Sequence, residues 1–345
     1  MMKNETMARD TALFSYDGVT SNVTVPDGVT EIADEAFAGH ENVITLVLPA
    51  GVEKIGDSAF TDCRNLMKVN LPDGVTEIGS HAFEGCANLF AITLPDSVTT
   101  IGSGAFSGCK ALSDPEGFTI IRNILYAYNN HAGFSRPEVT VPEGVVCIDD
   151  EAFRDCAWGV TSVKVPESVT EIGDSAFRNC ELLESVSIPG SVKKIGAFAF
   201  CGCKKIESVT LPEGVTEISP FLFDGCRKLT TVTVPEGVNT IGSCAFADCS
   251  HLASVELPES VNRISAWAFD GCASLGAVTV PGSVTKIEEY TFKNCRNLTT
   301  VTVPESVTQI DAHAFDGCEK LTLCGKPGSC AEAFAKEQDI PFRAA

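Results

Sequence analysis

Apolar and polar positions repeat along the chain with a period of 23 residues, from Val23 to Leu323. Twelve copies begin at Val23, Leu46, Val69, Ile92, Val139, Val163, Val186, Val209, Val232, Val255, Val278 and Val301. One step, Val139 to Val163, is 24 residues, and one, Ile92 to Val139, is 47. A fixed period in the twenties marks a solenoid, in which each coil buries its apolar face only against its neighbours.

Within a copy the order of positions predicts the elements. V-x-V/L-P reads as a short strand whose apolar residues alternate inward, and the proline ends it because it has no N–H for a ladder. Acid-Gly or acid-Ser then turns the chain. V-x-x-I follows, with isoleucine in every copy, and then Ala-Phe, with Phe37, Phe60, Phe83, Phe106, Phe153, Phe177, Phe200, Phe223, Phe246, Phe269, Phe292 and Phe315 in one column. Asp or Ser two residues ahead of the Ala-Phe pair suits the cap of a single helical or 3₁₀ turn. Two residues after each Phe stands only Gly, Asp or Asn, the types that tolerate a left-handed backbone, so the turn is predicted to stop there. Each coil offers about seven apolar side chains, worth about 1.5–3 kcal/mol each when fully buried.

The motif L-x-x-V-x-L-P-x-x-V-x-x-I-x-x-x-A-F-x-x-C at this period resembles the BspA-like (spirochaete-type) leucine-rich repeats, over about nine-tenths of the chain. The resemblance implies a leucine-rich-repeat solenoid of mixed α/β type, mostly short strands plus single helical or 3₁₀ turns. It implies a binding scaffold rather than a reaction, because one fold hosts many functions.

The expected organisation is one solenoid domain in five parts: an N-terminal segment and cap at 1–22, repeats at 23–114, an irregular coil at 115–138, repeats at 139–323 and a C-terminal cap at 324–345. Phe14, Tyr16 and Val19 are expected to cover the first coil, with the first ten or so residues disordered. The 24 residues Pro115–Glu138 replace one coil without loss of register. They are predicted to form a hairpin with strands Phe118–Ile121 and Ile124–Tyr128 and a turn at Arg122-Asn123. Cys330–Gln338 is predicted to be a helix with Ala331, Phe334 and Ala335 on one face.

Charge changes the picture of partners. The net charge is −21, with 25 Lys plus Arg against 46 Asp plus Glu. Such a chain repels nucleic acid and anionic membrane. One acid column follows the prolines (Asp27, Asp73, Asp96, Glu143, Glu167, Glu213, Glu236, Glu259 and Glu305) and reads as a solvated edge, since calcium needs oxygens converging on one point. Of the 16 cysteines, eleven occupy one column after the Gly/Asp/Asn position. No pair is spaced C-x₂-C, so the column reads as a ladder of reduced, buried thiols rather than a zinc site. Cys324 and Cys330 are near enough in sequence to pair. Many free thiols favour a reducing or anaerobic setting.

Two clusters are candidate binding residues. Tyr126, Tyr128, Phe134 and Arg136, in and beyond the hairpin, have the composition of interface hot spots, with capping of the irregular coil as the alternative. Lys204, Lys205, Arg227 and Lys228 occupy equivalent columns of adjacent coils and could dock an acidic protein segment or an anionic glycan, or compensate nearby acids. Val47, Met67 and Phe90 place apolar residues on the concave face of the early coils, where later copies carry Thr and Ser.

No H-E-x-x-H, G-x-S-x-G, P-loop or dinucleotide fingerprint occurs, and no cofactor or metal is expected. The chain is therefore read as a non-enzymatic protein-binding scaffold. The resemblance implies a surface or secreted adhesion protein whose partner is a host matrix or cell-surface protein. An intracellular interaction scaffold and a carbohydrate-binding module are the alternatives. The N-terminus shows no signal peptide and there is no run of 18 apolar residues to cross a membrane, which leaves a cytoplasmic protein, one exported by a route the sequence does not show, or a trimmed chain.

Overall fold

A computed structural model describes residues 6–9, 11–129, 136–154, 156 and 159–345. The protein is a β-solenoid of about 14 turns of about 23 residues, with almost no helix. The chain divides into two compact units, residues 1–132 with 149–152, and residues 133–148 with 153–345.

In the first unit each coil contributes two short strands. The V-x-V segments Asn22–Thr24, Thr45–Val47, Lys68–Asn70 and Ala91–Thr93 form one parallel ladder. Their central residue points inward and the flanking ones outward. A second parallel ladder joins Glu31–Ile32, Lys54–Ile55, Glu77–Ile78 and Thr100–Ile101. The V-x-x-I segment was not expected to be a strand; its two residues pair because each coil sets the same isoleucine beside the next.

The cap differs from expectation. Thr6–Arg9 and Ala12–Tyr16 form an antiparallel hairpin, and Ala12–Leu13 pairs in parallel with Glu31–Ile32. Residues 6–9 are thus in a strand rather than disordered. Tyr16 stacks on Phe37 at 5.1 Å, whereas Val19 is 84 % exposed and covers nothing.

The second unit repeats the plan. Glu138–Thr140, Ser162–Lys164 and Ser185–Ser187 form one ladder, as do Ala277–Thr279, Thr300–Thr302, Thr322–Gly325 and Phe342–Ala344. The helix Cys330–Glu337 closes its end, with Ala331, Phe334 and Ala335 buried as expected and Ser329 accepting the Glu332 N–H. The last strand, Phe342–Ala344, was not foreseen.

The Ala-Phe segment is a string of tight turns rather than a helical turn. Ala36 N–H bonds to Ala33 O, Ala38 N–H to Glu35 O and His40 N–H to Phe37 O. The intervening N–H groups point along the solenoid axis, Phe37 to Ala59 O and Gly39 to Thr61 O. The Asp ahead of the turn does not cap it. Asp34 Oδ1 accepts the Asp57 N–H of the next coil, and Asp57 Oδ1 accepts that of Ser80. The predicted left-handed stop holds at every described copy, from Gly39 (φ 73°) and Asp62 (φ 56°) to Asn294 (φ 58°) and Gly317 (φ 78°).

Two columns carry the core. Phenylalanine rings stack at 5.0–5.6 Å from Phe37 to Phe106 in the first unit. In the second they stack at 4.8–5.8 Å from Phe153 to Phe315, closed edge-on by Phe334 at 5.9 Å. Beside them runs the cysteine column. In every copy but that of Cys156, which follows the hairpin coil, the Sγ–H donates to the carbonyl of the Phe one coil back, as Cys63 does to Phe37 at 3.0 Å and Cys226 to Phe200 at 3.2 Å. All 16 cysteines are free, Cys324 and Cys330 included.

Candidate functional site

The hairpin coil forms with the expected strands, Phe118–Ile121 and Ile124–Tyr128. Arg122 and Asn123 both have positive φ, 48° and 66°, which is the two-residue turn that follows the twist of a hairpin. The Arg122 guanidinium donates to the carbonyls of Val98 and Pro95, which ties the turn to the preceding coil. The hairpin supplies no Ala-Phe turn. Asp149 and Asp150 reach past it, Asp149 accepting the Gly104 N–H at 2.8 Å and Asp150 the Ser103 hydroxyl at 2.5 Å. Burial pushes Asp149 up to about 6, but its oxygen is committed to the Gly104 backbone, so this carboxylate holds the fold.

The structure corrects two binding expectations. Tyr126 is 1 % exposed and its ring meets Phe106 edge-on at 5.2 Å, ending the phenylalanine column of the first unit. Tyr128 is 7 % exposed and packs against Phe118 at 5.0 Å. Side chains this deeply buried leave a partner almost nothing to touch, so both are core. Phe134 lies outside the described residues, and Arg136 is exposed.

The cationic columns lie on the surface of the second unit, partly compensated. Lys204 pairs with Glu181 at 2.5 Å and Lys205 with Glu184 at 3.6 Å, while Arg227 and Lys228 are exposed with no ion pair among the described residues. All nine acids after the prolines are exposed. Among the described residues no group of three or more His, Cys, Asp or Glu converges as a metal site, and no helix is long and apolar enough to cross a membrane.

What does reach solvent is a stripe in the first unit. Ile44, Met67 and Phe90 stand at one position of three consecutive coils, joined by Met67 N–H to Ile44 O and Phe90 N–H to Met67 O, each 3.0 Å. They are 37 %, 44 % and 55 % exposed, and Val47 beside them is 56 % exposed. Hydroxyls of the adjoining strands donate to asparagine side-chain oxygens one coil back, Thr45 to Asn22 at 2.6 Å and Thr93 to Asn70 at 3.3 Å. The apolar side chains at this position have no such partner. Later copies carry Pro137, Thr161, Glu184, Glu207, Thr230, Ala253, Gly276 and Thr299 there, none a large aliphatic or aromatic side chain, so the stripe belongs to the first unit.

The family model for the BspA type leucine rich repeat region matches residues 10–132, 125–249 and 216–333. The chain belongs to this family. Two solved structures are similar to it at 26 % identity and a TM-score of 0.51. One is a leucine rich cell surface protein from Faecalibacterium prausnitzii, where the match covers 96 % of each chain. The other is a leucine-rich repeat protein from Bacteroides ovatus, where it covers 100 % of this chain and 97 % of that one. A leucine-rich repeat protein from Eubacterium ventriosum, at 24 % identity and TM-score 0.53 over 89 % of this chain and 88 % of that one, shares the fold. A comparison with curated proteins finds no match. BspA-type repeats of this kind are protein-interaction scaffolds.

Proposed function

We propose that this BspA-type solenoid is a surface-associated adhesion or host-interaction protein, and that it holds a protein partner on the strand face of its first unit. The observation that carries this reading is the Ile44–Met67–Phe90 stripe with Val47 beside it. Contiguous exposed apolar residues on an otherwise hydroxyl- and charge-covered surface mark interaction sites. A second copy of the chain is a poor occupant, because each copy carries a net charge of −21 and repels the other. A host matrix or cell-surface protein with an apolar patch and a basic rim is complementary. The Faecalibacterium prausnitzii relative, described as a cell surface protein, supports the location.

The experiment is a binding screen of the purified chain against immobilised host matrix proteins, with Met67→Ser/Phe90→Ser beside it. Both residues are exposed, so the variant is expected to keep its fold and to lose stability by no more than about 0.5 kcal/mol per site. Affinity is expected to fall at least about thirtyfold, the loss typical of a hot-spot pair. Equal binding by the folded variant would sink the strand-face assignment.

The 16 free thiols favour a second reading, an intracellular scaffold using the same face. Protease shaving of intact source cells separates the two. Peptides of this chain released while cytoplasmic markers stay intact support the surface reading; peptides seen only after lysis support the scaffold.

A further inference from the structure

A different column of the second unit carries an inference that does not depend on the strand face. The residue two before the column Phe has positive φ in eleven of the twelve copies, even where it is bulky: Phe198 (58°), Phe221 (57°), Cys244 (55°), Trp267 (65°) and Tyr290 (55°). These residues form consecutive rungs, because each N–H bonds into the next coil, Phe198 to Pro220 O, Phe221 to Ser243 O, Cys244 to Ala266 O and Trp267 to Glu289 O. Their half-buried side chains make a second aromatic ladder on the turn surface. Phe198 stacks on Phe221 at 4.4 Å, and Trp267 packs on Tyr290 at 4.2 Å with the rings tilted by 32°.

The chain's own cations lie on this ladder. The Arg178 guanidinium is 5.2 Å from the Phe198 ring centre, and the Lys293 ammonium lies 4.8 Å from Trp267 and 4.7 Å from Tyr290. Between the two ring pairs one rung is missing. The coil there carries Cys244 at the ring position and Ala247 at the position that holds Arg178 and Lys293 in their own coils. On one side stand Phe221 and Asp224, on the other Trp267 and Asp270. Walls two coils apart are separated by roughly 10 Å, enough for one flat group to take the missing rung.

The charge in the notch is only partly compensated, by Arg178 near Asp224 and Lys293 near Asp270. Asp224 accepts the Cys201 Sγ–H at 3.6 Å and Asp270 the Asn294 amide at 3.1 Å together with the Gly271 N–H, and neither has a direct ion pair among the described residues. Burial, with the nearby Asp248 charge, raises both carboxyls above their ordinary range.

We propose that this notch receives an arginine side chain of a partner protein. Its planar guanidinium would stack between Phe221 and Trp267 and donate to Asp224 and Asp270. A guanidinium suits the notch better than an ammonium, because it has two flat faces for two rings and a fork of N–H donors for carboxylates. Arg178 over Phe198 is the same contact made within the chain.

The test uses the full chain labelled with fluorotryptophan and followed by fluorine NMR. The chain has two tryptophans, and Trp267→Phe assigns the signals. The probe is acetyl-Gly-Arg-Gly-amide, with the neutral citrulline peptide and the lysine peptide as comparisons. The arginine peptide is expected to shift the Trp267 signal saturably and to bind at least about tenfold more tightly than either comparison. Asp224→Asn/Asp270→Asn is expected to weaken it by a similar factor. Cys244→Phe, which fills the missing rung with the ring type of its neighbours, is expected to abolish it while leaving the melting curve intact. The proposal is overturned by no saturable shift, by equal binding of the citrulline or lysine peptide, or by unchanged binding to Cys244→Phe.

Discussion

Raising the pH from about 8 to about 10.5 is expected to unfold this protein, through its cysteines. Nine thiols of the buried column, Cys63, Cys86, Cys109, Cys180, Cys203, Cys226, Cys249, Cys272 and Cys295, have their ionisation pushed up. For most the chief cause is burial, which disfavours a thiolate; for Cys180 and Cys295 it is the hydrogen bond their own S–H makes to the neighbouring Cys156 and Cys318, with burial second. Cys63 and Cys109 reach about 12 from an ordinary 9. The native state therefore holds protons that the unfolded chain releases once the pH passes 9. The stabilisation is fully present below that pH and is lost as the pH rises towards the native values. Each thiol removes about 1.4 kcal/mol per pH unit in that window. Nine together amount to about a dozen kcal/mol per pH unit as an upper figure, as large as the whole stability of a domain. Three of the nine lie in the first unit and six in the second, so both units are expected to respond. Urea melts at stepped pH measure the slope. Cys226→Ala/Cys249→Ala should lower it by about 2.7 kcal/mol per pH unit, two protons' worth, whatever the variant costs at neutral pH. A stability that stays flat from about pH 8 to 10.5 would show that these thiols are not buried as described.

Phe200→Ala is the second large effect. Phe200 has no exposed surface and stacks in parallel between Phe177 at 5.2 Å and Phe223 at 5.8 Å. Its N–H is bonded to Leu222 O and its carbonyl accepts the Cys226 Sγ–H. Truncation removes one rung and strips a face from each neighbouring ring. In a solenoid no distant part of the chain can move in to fill the space. The expected cost is about 3–5 kcal/mol, the range for a large apolar side chain leaving a cavity. Phe90→Ala supplies the contrast, since Phe90 is 55 % exposed and its loss is expected to stay within about 0.5 kcal/mol. Denaturant melts of the pair decide the matter. A loss below about 1 kcal/mol for Phe200→Ala would mean the column is not core.

Much of the architecture is legible in the residues. The Phe and Cys columns, the hairpin strands and the closing helix follow from periodicity, because a side chain repeated every coil must meet its own copy. The left-handed stops follow from residue type, since Gly, Asn and Asp alone fill that position. The second left-handed column leaves no such trace. Glu35, Ser58, His81, Phe198, Cys244 and Trp267 share nothing but their place, and inter-coil hydrogen bonds hold their backbone where no propensity would. The aromatic ladder was missed for that reason. The exposed stripe at Ile44, Met67 and Phe90 was half visible, as a departure from the Thr and Ser of later copies.

The hairpin shows where sequence reading stops. Tyr126 and Tyr128 carry the composition of an interface, and composition does not say which way a ring points. A bulge between Thr119 and Ile120 shifts the pairing, and Leu125 to Tyr128 are buried on both faces of their strand. Periodicity alone therefore determined the solenoid, its register and its core, since those depend on which residues recur. Only the tertiary structure decided which side chains are left to solvent, because that depends on what packs over each face, and a coil that breaks the repeat has no copy of itself to declare it.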